Sequence, residues 1–255
     1  MSSQPIRQIL DDIALSLVFF TRLPLPAFDS RGRTLAEAIW AAPLAGLAVA
    51  IMGGAVYGLA TFCGLAPAPA VALTLAAMML ATGCLHEDGL SDVADGFGGG
   101  TTREKKLEIM RDSRIGSYGA AALGFSLLIR WSALSEIGGA MHVLCTLIAA
   151  HMASRGLAGA FMHLLPPARA DGLAANAGTV SAQTASAGAI LGAAALLALG
   201  SGGAIVSAIC LLAILFFAFR GLCLRQIGGH TGDTVGALQQ FGEITVLLVA
   251  SVFLS

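Results

Sequence analysis

Charge is what this sequence has least of. Asp, Glu, Lys and Arg make up 11% of its 255 residues, where soluble domains carry about 25%. That scarcity excludes an ordinary water-soluble enzyme, whose surface needs far more charge, and a disordered chain, which stays unfolded through high charge and low hydrophobicity. Nor is one sign in excess. The formal net charge is -1, so no basic surplus is available for nucleic acid. Paired cysteines are missing too: Cys63, Cys84, Cys145, Cys210 and Cys223 stand singly in apolar stretches, with no CxxC and no Cys/His cluster. They read as small buried hydrophobes rather than zinc ligands or disulfides. No repeat of 20–50 residues and no lipidation motif stands out. With Asp11 and Asp12 inside the first apolar run, the start of the chain lacks the basic-then-apolar order of a cleavable signal. What is abundant is apolar: 56% of the chain is AVILMFWYC, alongside 32 glycines. An integral membrane protein is the class that remains.

The few charges are unevenly placed. Of 29 acidic and basic residues, 12 lie between His86 and Arg114, whereas 38–85 and 172–219 are each 48 residues without Asp, Glu, Lys, Arg or His. A crossing helix needs about 20 residues, so each charge-free stretch holds two spans joined by a turn. The breaks fall at Pro67-Ala68-Pro69 and at Gly200-Ser201-Gly202-Gly203, where turn residues belong. Spans are expected near 38–62, 70–86, 117–137, 140–164, 182–199, 204–220 and from 236 onward, about seven in all. An amphipathic segment near 6–20 is expected to lie on the membrane interface. The fold expected is all-α: a polytopic membrane helical bundle plus that N-terminal interfacial helix and a cytoplasmic amphipathic helix. It forms a single integral membrane domain over 1–255, with an active-site segment at 86–117. Placing the N-terminus in the cytoplasm puts Arg7, Arg22, Arg31, Arg33, Arg103, Lys105, Lys106, Arg111, Arg114, Arg169, Arg220 and Arg225 inside, and leaves the outer turns near 63–69, 138–140 and 200–203 without basic residues. That satisfies the positive-inside rule, so the charged segment faces the cytoplasm.

The segment opens with carboxylates. Asp88, Asp92 and Asp95 are spaced i, i+4 and i+7, which sets them on one helical stripe. Three carboxylates there repel unless a cation neutralises them, and hard oxygen donors without cysteine suit Mg²⁺ or Mn²⁺ rather than zinc. Bound by few carboxylates, Mg²⁺ usually shares its shell with substrate phosphates. A solvated acidic face is the bland alternative; carboxylates starting at membrane depth are costly and usually functional. Next comes a basic run, Arg103 to Arg114, in which Leu107, Met110 and Arg111/Arg114 recur at helical spacing. On its own such a run is a headgroup contact or topology signal; beside a metal site it supplies cations for non-bridging phosphate oxygens. A Gly-rich stretch, Gly228-Gly229-His230-Thr231-Gly232-Asp233, is either a phosphate cradle or a flexible turn. Within the spans, Arg155 reads as facing substrate rather than forming a structural pair, and Arg130 as pairing with Glu136. His142, His151 and His163 read as core or interfacial packing.

Together these residues resemble a known family. "TRLPLP" at Thr21–Pro26, "TGCLHEDGLSDVADGFGG" at Thr82–Gly99, "REKKLEIMRDSRIGSYG" at Arg103–Gly119, Ser154-Arg155 and "GGHTGDTVGA" at Gly228–Ala237 resemble the cobalamin synthase family, the adenosylcobinamide-GDP ribazoletransferases, over the whole chain. Two positions depart from its pattern: Cys84 stands where glycine is usual, and Gln240 where Glu is frequent. The resemblance implies a multi-pass enzyme of the cell inner membrane that joins adenosylcobinamide-GDP to α-ribazole or its 5'-phosphate, releasing GMP, with Mg²⁺. It implies that Glu87, Asp88, Asp92 and Asp95 hold the metal. Lys105, Lys106, Arg111 and Arg114 would neutralise phosphate charge, with Ser113 at the substrate. Asp112 would add a ligand or orient an arginine, and Arg155, Thr231 and Asp233 would close the site. The proton acceptor is His86 or a carboxylate. Partners implied are the two substrates and the lipid bilayer but no nucleic acid; a homo-oligomer or association with other late cobalamin enzymes stays open. A CDP-alcohol phosphotransferase would carry an Ala-Arg pair after its first Asp-Gly, where Leu90-Ser91 stands here. A transporter would scatter ionisable residues through several spans, against the two charge-free stretches.

Overall fold

The computed structural model describes residues 4–25, 29–169 and 178–254; Pro26, the last residue of the TRLPLP motif, lies outside them. Among the described residues every regular element is helical, and the one extended contact is an isolated parallel bridge between Pro167 and His230. Helix α1 covers Gln4–Phe20, α2 Leu35–Ala38, α3 Ala42–Phe62, α4 Pro67–Thr82, α5 Leu85–Gly99, α6 Arg103–Ile109 and α7 Ser117–Ser135. Then follow α8 at Ala140–Leu164, α9 at Ala182–Ala195, α10 at Gly202–Ile227 and α11 at Gly232–Phe253.

Apolar side chains point out and polar ones in. Phe62 is 89% exposed, and Leu80, Phe125, Ile190, Ile214, Phe217 and Val252 are exposed too, while Glu87, Arg130, His151, Arg155, Gln239, Gln240 and Glu243 are buried. Only a hydrocarbon solvent makes that distribution favourable. Among the described residues five helical stretches are long and apolar enough to cross a membrane: Leu35–Phe62, Ala140–Leu164, Ala182–Leu199, Gly202–Ile227 and Gly232–Phe253. A sixth crossing is available if the bent pair α4 and α5 counts as one. About seven were expected; α7 falls short because Tyr118, Arg130, Trp131 and its serines dilute its apolarity.

Helices α8 and α11 form the centre, with 72% and 61% of their apolar windows buried, against 28% for α10 at the periphery. Glycines allow α9 to press on α8: a Cβ on Gly156 would stand 2.8 Å from the Gly188 carbonyl oxygen, the small-residue packing that lets membrane helices approach closely. Helix α1 exposes Ile6, Ile9, Leu10 and Val18 on one side and buries Asp12, Ser16 and Phe20 on the other, as an interfacial helix should. Asp12 accepts two 2.7 Å bonds from Arg33 and one of 2.8 Å from Trp40 Nε1, and Ser16 donates to the Ala38 carbonyl. These bonds pin α1 to α2, whose start is a capping box between Thr34 and Glu37.

Between α4 and α5 the chain turns by 88°. Gly83 and Cys84 both adopt left-handed backbone, with φ 61° and 58°. Past its first turn, α5 therefore runs nearly perpendicular to the crossing helix before it, packed against α11, α7 and α6. The basic helix stops at Ile109, short of Arg111 and Arg114. There Asp112 accepts from the backbone N–H of Arg114 at 3.1 Å, and a side-chain turn of this kind competes with helix.

Candidate active site

Helix α5 carries its acids in two directions. Asp88 is exposed and Asp92 half-buried on one side. Glu87 lies on another, buried, where its Oε1 accepts from Arg130 at 3.1 Å and from Gln240 Nε2 at 3.3 Å. Asp95, in line with Asp88 and Asp92, is also committed. Its carboxylate accepts from the backbone N–H of Gly116 at 2.7 Å and of Gly119 at 2.9 Å, so it caps the N-terminus of α7 from a different helix and meets the positive end of the dipole. The carboxylates that remain for a ligand are Asp88, Asp92 and, from the first turn of α11, Asp233. Burial pushes Asp92 up to about 7, helped by the carboxylates of Asp88, Asp233 and Asp95 and opposed by Arg169. Such repulsion marks a place for a cation.

Two of these acids, Asp88 and Asp233, border a cleft of about 190 Å³ between α1, α2, α5, α8 and α11. His86, Asp88 and Asp233 supply its ionisable lining; Phe19, Phe20, Ile39, Met162 and Val235 supply apolar walls. The His86 ring stacks on Phe20, with centroids 5.9 Å apart and planes 9° from parallel. A wider cleft of about 580 Å³ adjoins it through Phe19, Leu85 and Asp88, and is lined by Arg22, Thr82, Gly83 and Cys84. At Gly89 a Cβ would stand 2.8 Å from the Asp233 carbonyl oxygen; this absence of side chain brings Asp233 up to Asp88 and Asp92.

Asp233 is anchored on both sides. Thr231, fully buried, caps α11 through the Thr234 N–H and donates to Asp233 Oδ2 at 3.1 Å. Arg169 stands 3.6 Å from the same oxygen. The bonds from Ala168 N to His230 O and from His230 N to Pro166 O, with that of Arg103 to Ala168 O, stitch residues 166–169 onto this turn. Arg169 thus stands beside the acids, a place that composition and spacing do not announce. Its signal was local: Pro166-Pro167 ends α8 and presents an arginine immediately afterwards.

The basic residues expected at the phosphates are placed differently. Lys105 pairs with Glu108 at 2.8 Å on the exposed side of α6, and Lys106 donates to Gln226 of α10. Arg114 chelates Asp112, with its own side chain 87% exposed. That pairing, through side-chain hydrogen bonds, holds Asp112 down at about 2. Arg111 and Ser113 are exposed on the same loop. Neither the helix nor the loop lines the cleft.

Arg155 and Arg130 are both buried. Arg155 Nη1 donates to His151 Nδ1 at 2.9 Å and to the His151 carbonyl at 3.2 Å. Because Nδ1 accepts there, its 3.5 Å approach to Glu243 is not a second donated bond. Arg130 pairs with Glu87 and, at 3.2 Å, with Glu243, not with Glu136 as expected: Glu136 is the C-cap beyond α7, while Arg130 faces the bundle interior. Gln239 donates to Glu243 at 2.7 Å and to Ser154 at 3.2 Å; Gln240 donates to Gln239 and accepts from Ser126. Two arginines and two glutamates thus balance inside the bundle, and His151 is part of the network rather than plain packing. His142 contacts the Gly138 carbonyl and His163 that of Val180.

Among the described residues no three His, Cys, Asp or Glu side chains converge closely enough to hold a metal unaided. Asp88, Asp92 and Asp233 are nevertheless the donor type that Mg²⁺ takes: hard, mutually repelling carboxylates, two of them in the cleft wall, that would leave shell positions for water and phosphate.

Comparison with known proteins agrees with the resemblance. A family model described as cobalamin-5-phosphate synthase matches residues 12–251. A Mesorhizobium japonicum protein named adenosylcobinamide-GDP ribazoletransferase is 68% identical over 98% of this chain and 96% of its own. Proteins of the same name from Bradyrhizobium diazoefficiens and Brucella ovis are 48% and 41% identical, over 98% and 94% of this chain and 97% and 96% of theirs. No solved structure matches. With its acid-bearing helix, its polar bundle interior and a match over nearly its whole length, the chain belongs to the cobalamin-5-phosphate synthase family.

Proposed function

We propose that this chain is a multi-pass membrane transferase that joins adenosylcobinamide-GDP to α-ribazole or its 5'-phosphate. The ribazole 3'-hydroxyl oxygen bonds to the cobinamide-linked phosphorus, the phosphoanhydride bond breaks, and GMP leaves with the bridging oxygen. The products are adenosylcobalamin, or its 5'-phosphate, and one proton. The observation that carries this reading is the pairing of Asp88 and Asp233 in the wall of a cleft that His86 also lines, with Asp92 close enough to feel both carboxylates.

Asp88, Asp92 and Asp233 would hold Mg²⁺, which would neutralise diphosphate charge. Thr231 and Arg169 fix the Asp233 carboxylate. His86, in the same cleft, or one of the carboxylates accepts the hydroxyl proton. The apolar walls keep competing water from the phosphorus. Arg111 and Arg114, on the loop beyond α6, meet phosphate only if that loop folds over the cleft, and Lys105, Lys106 and Ser113 go with them. The acid-bearing side faces the cytoplasm and the bilayer is the inner membrane; the concentration of basic residues on that side supports the orientation.

GMP release from adenosylcobinamide-GDP and α-ribazole, followed with purified protein in detergent, tests the reading. Release is expected with Mg²⁺ and lost in EDTA. Release unaffected by EDTA would sink the metal assignment, and no release under any condition would sink the function.

A further inference from the structure

We infer that the 190 Å³ cleft is the pocket for the aromatic base of the ribazole, and that its walls set which lower base is accepted. The inference rests on the proposed transferase reading and deepens it. Size is the first argument. Pockets for drug-sized ligands measure roughly 300–1,000 Å³, so a cleft of about 190 Å³ takes one fused ring system, not a corrinoid or a guanine nucleotide.

Chemistry is the second. The walls include Phe19, Phe20, Ile39, Met162 and Val235, so a flat, uncharged ring meets aromatic and aliphatic carbon. Among the described residues its lining holds no Lys or Arg, so nothing inside it pairs with a phosphate.

Arrangement is the third. A two-substrate transferase needs two subsites that converge on the reacting atoms, and the two clefts here meet at Phe19, Leu85 and Asp88. With the base in the narrow cleft, its ribose emerges beside Asp88 and Asp233. The wider cleft, with Arg22 in its wall, is left for the diphosphate of the larger substrate. The hydroxyl and the phosphorus then come together at the carboxylates.

The test uses the purified full chain in detergent, with folding checked by thermal unfolding. Val235→Phe fills the pocket and Met162→Ala enlarges it. Because an added or removed methylene in an apolar pocket changes discrimination by roughly 10–200-fold, Val235→Phe is expected to raise KM for α-ribazole by about 10-fold or more. It should lower the ratio of kcat/KM for α-ribazole over benzimidazole riboside, which lacks the two ring methyls. Met162→Ala is expected to weaken the preference for the methylated base. In both, KM for adenosylcobinamide-GDP stays within about twofold.

Free 5,6-dimethylbenzimidazole, without ribose or phosphate, is expected to compete with α-ribazole and not with adenosylcobinamide-GDP on the unmodified protein. That arm needs no variant to fold. Unchanged base preference in folded variants, or competition by the free base against adenosylcobinamide-GDP instead, overturns the inference while GMP release leaves the transferase reading standing. If no GMP is released at all, equilibrium dialysis of the free base against the protein and against Val235→Phe still decides the pocket: binding lost in the variant supports it, and equal or absent binding overturns it.

Discussion

At Cys84 the chain does something a side chain resists. Its φ of 58° is left-handed, which costs a non-glycine residue roughly 1–2 kcal/mol. Glycine removes that cost but adds freedom to the unfolded chain, so Cys84→Gly is expected to stabilise by about 0.5–1 kcal/mol, read as a higher unfolding midpoint in detergent. A lower midpoint contradicts the account. The position was legible as a departure from the family's glycine, but not as strained, because strain is a property of the turn from α4 into α5. Asp92 is the opposite case. Its helical spacing announced it, and its half-buried place among Asp88, Asp95 and Asp233 gives the spacing a purpose. Asp92→Asn is expected to lower kcat for GMP release by about 10²–10³-fold, on the scale of losing one electrostatic group at a reacting centre, with the unfolding midpoint unchanged or raised because a repelling charge has gone. Turnover within threefold of the unmodified protein would remove Asp92 from the site. Asp95 shared that spacing, yet its carboxylate caps α7; periodicity shows which residues share a face, not what each one touches.

Elements meet here at bare backbone. Gly89 lets α5 lie against the first turn of α11, and a Cβ there would stand 2.8 Å from the Asp233 carbonyl oxygen. Gly89→Ala is expected to cost about 1–3 kcal/mol through overpacking and to reduce GMP release beyond what the lost stability explains, since it drives Asp233 away from Asp88. The interior network joins α5, α7, α8 and α11 through charge. Removing one partner of a buried pair costs about 3–5 kcal/mol because its mate is stranded. Arg130→Met is therefore expected to destabilise strongly, and adding Glu87→Gln and Glu243→Gln to recover much of the loss, in thermal unfolding of the purified variants. A triple variant no better than Arg130→Met alone would mean that the charges are not coupled. Most helices were legible from charge-free runs and turn residues. The partners of Arg130, His151 and Arg155 were not, because Glu87, Arg130 and Glu243 are more than 40 residues apart, and only the packed bundle brings them together.

The whole molecule inverts the usual placement of polar and apolar groups, and its orientation can be read from one thiol. Cys63 is exposed at the end of α3, at the opposite end of that helix from α2 and the cleft. If the acid-bearing end faces the cytoplasm, a membrane-impermeant maleimide applied to intact cells is expected to label Cys63, and Cys63→Ser to abolish that labelling; protection of Cys63 until the cells are lysed reverses the orientation. Balanced charge in the interior has a further consequence, for synthesis. The chain emerges from the ribosome in order, so Glu87 and Arg130 enter the membrane first and can find each other at once. His151 and Arg155 follow, but Glu243, with Gln239 and Gln240, arrives only with the C-terminal helix. Until then Arg130 lacks its second acid and His151 its neighbouring carboxylate, so the interior network stays incomplete. The interior network is therefore complete only once the last helix has joined the bundle.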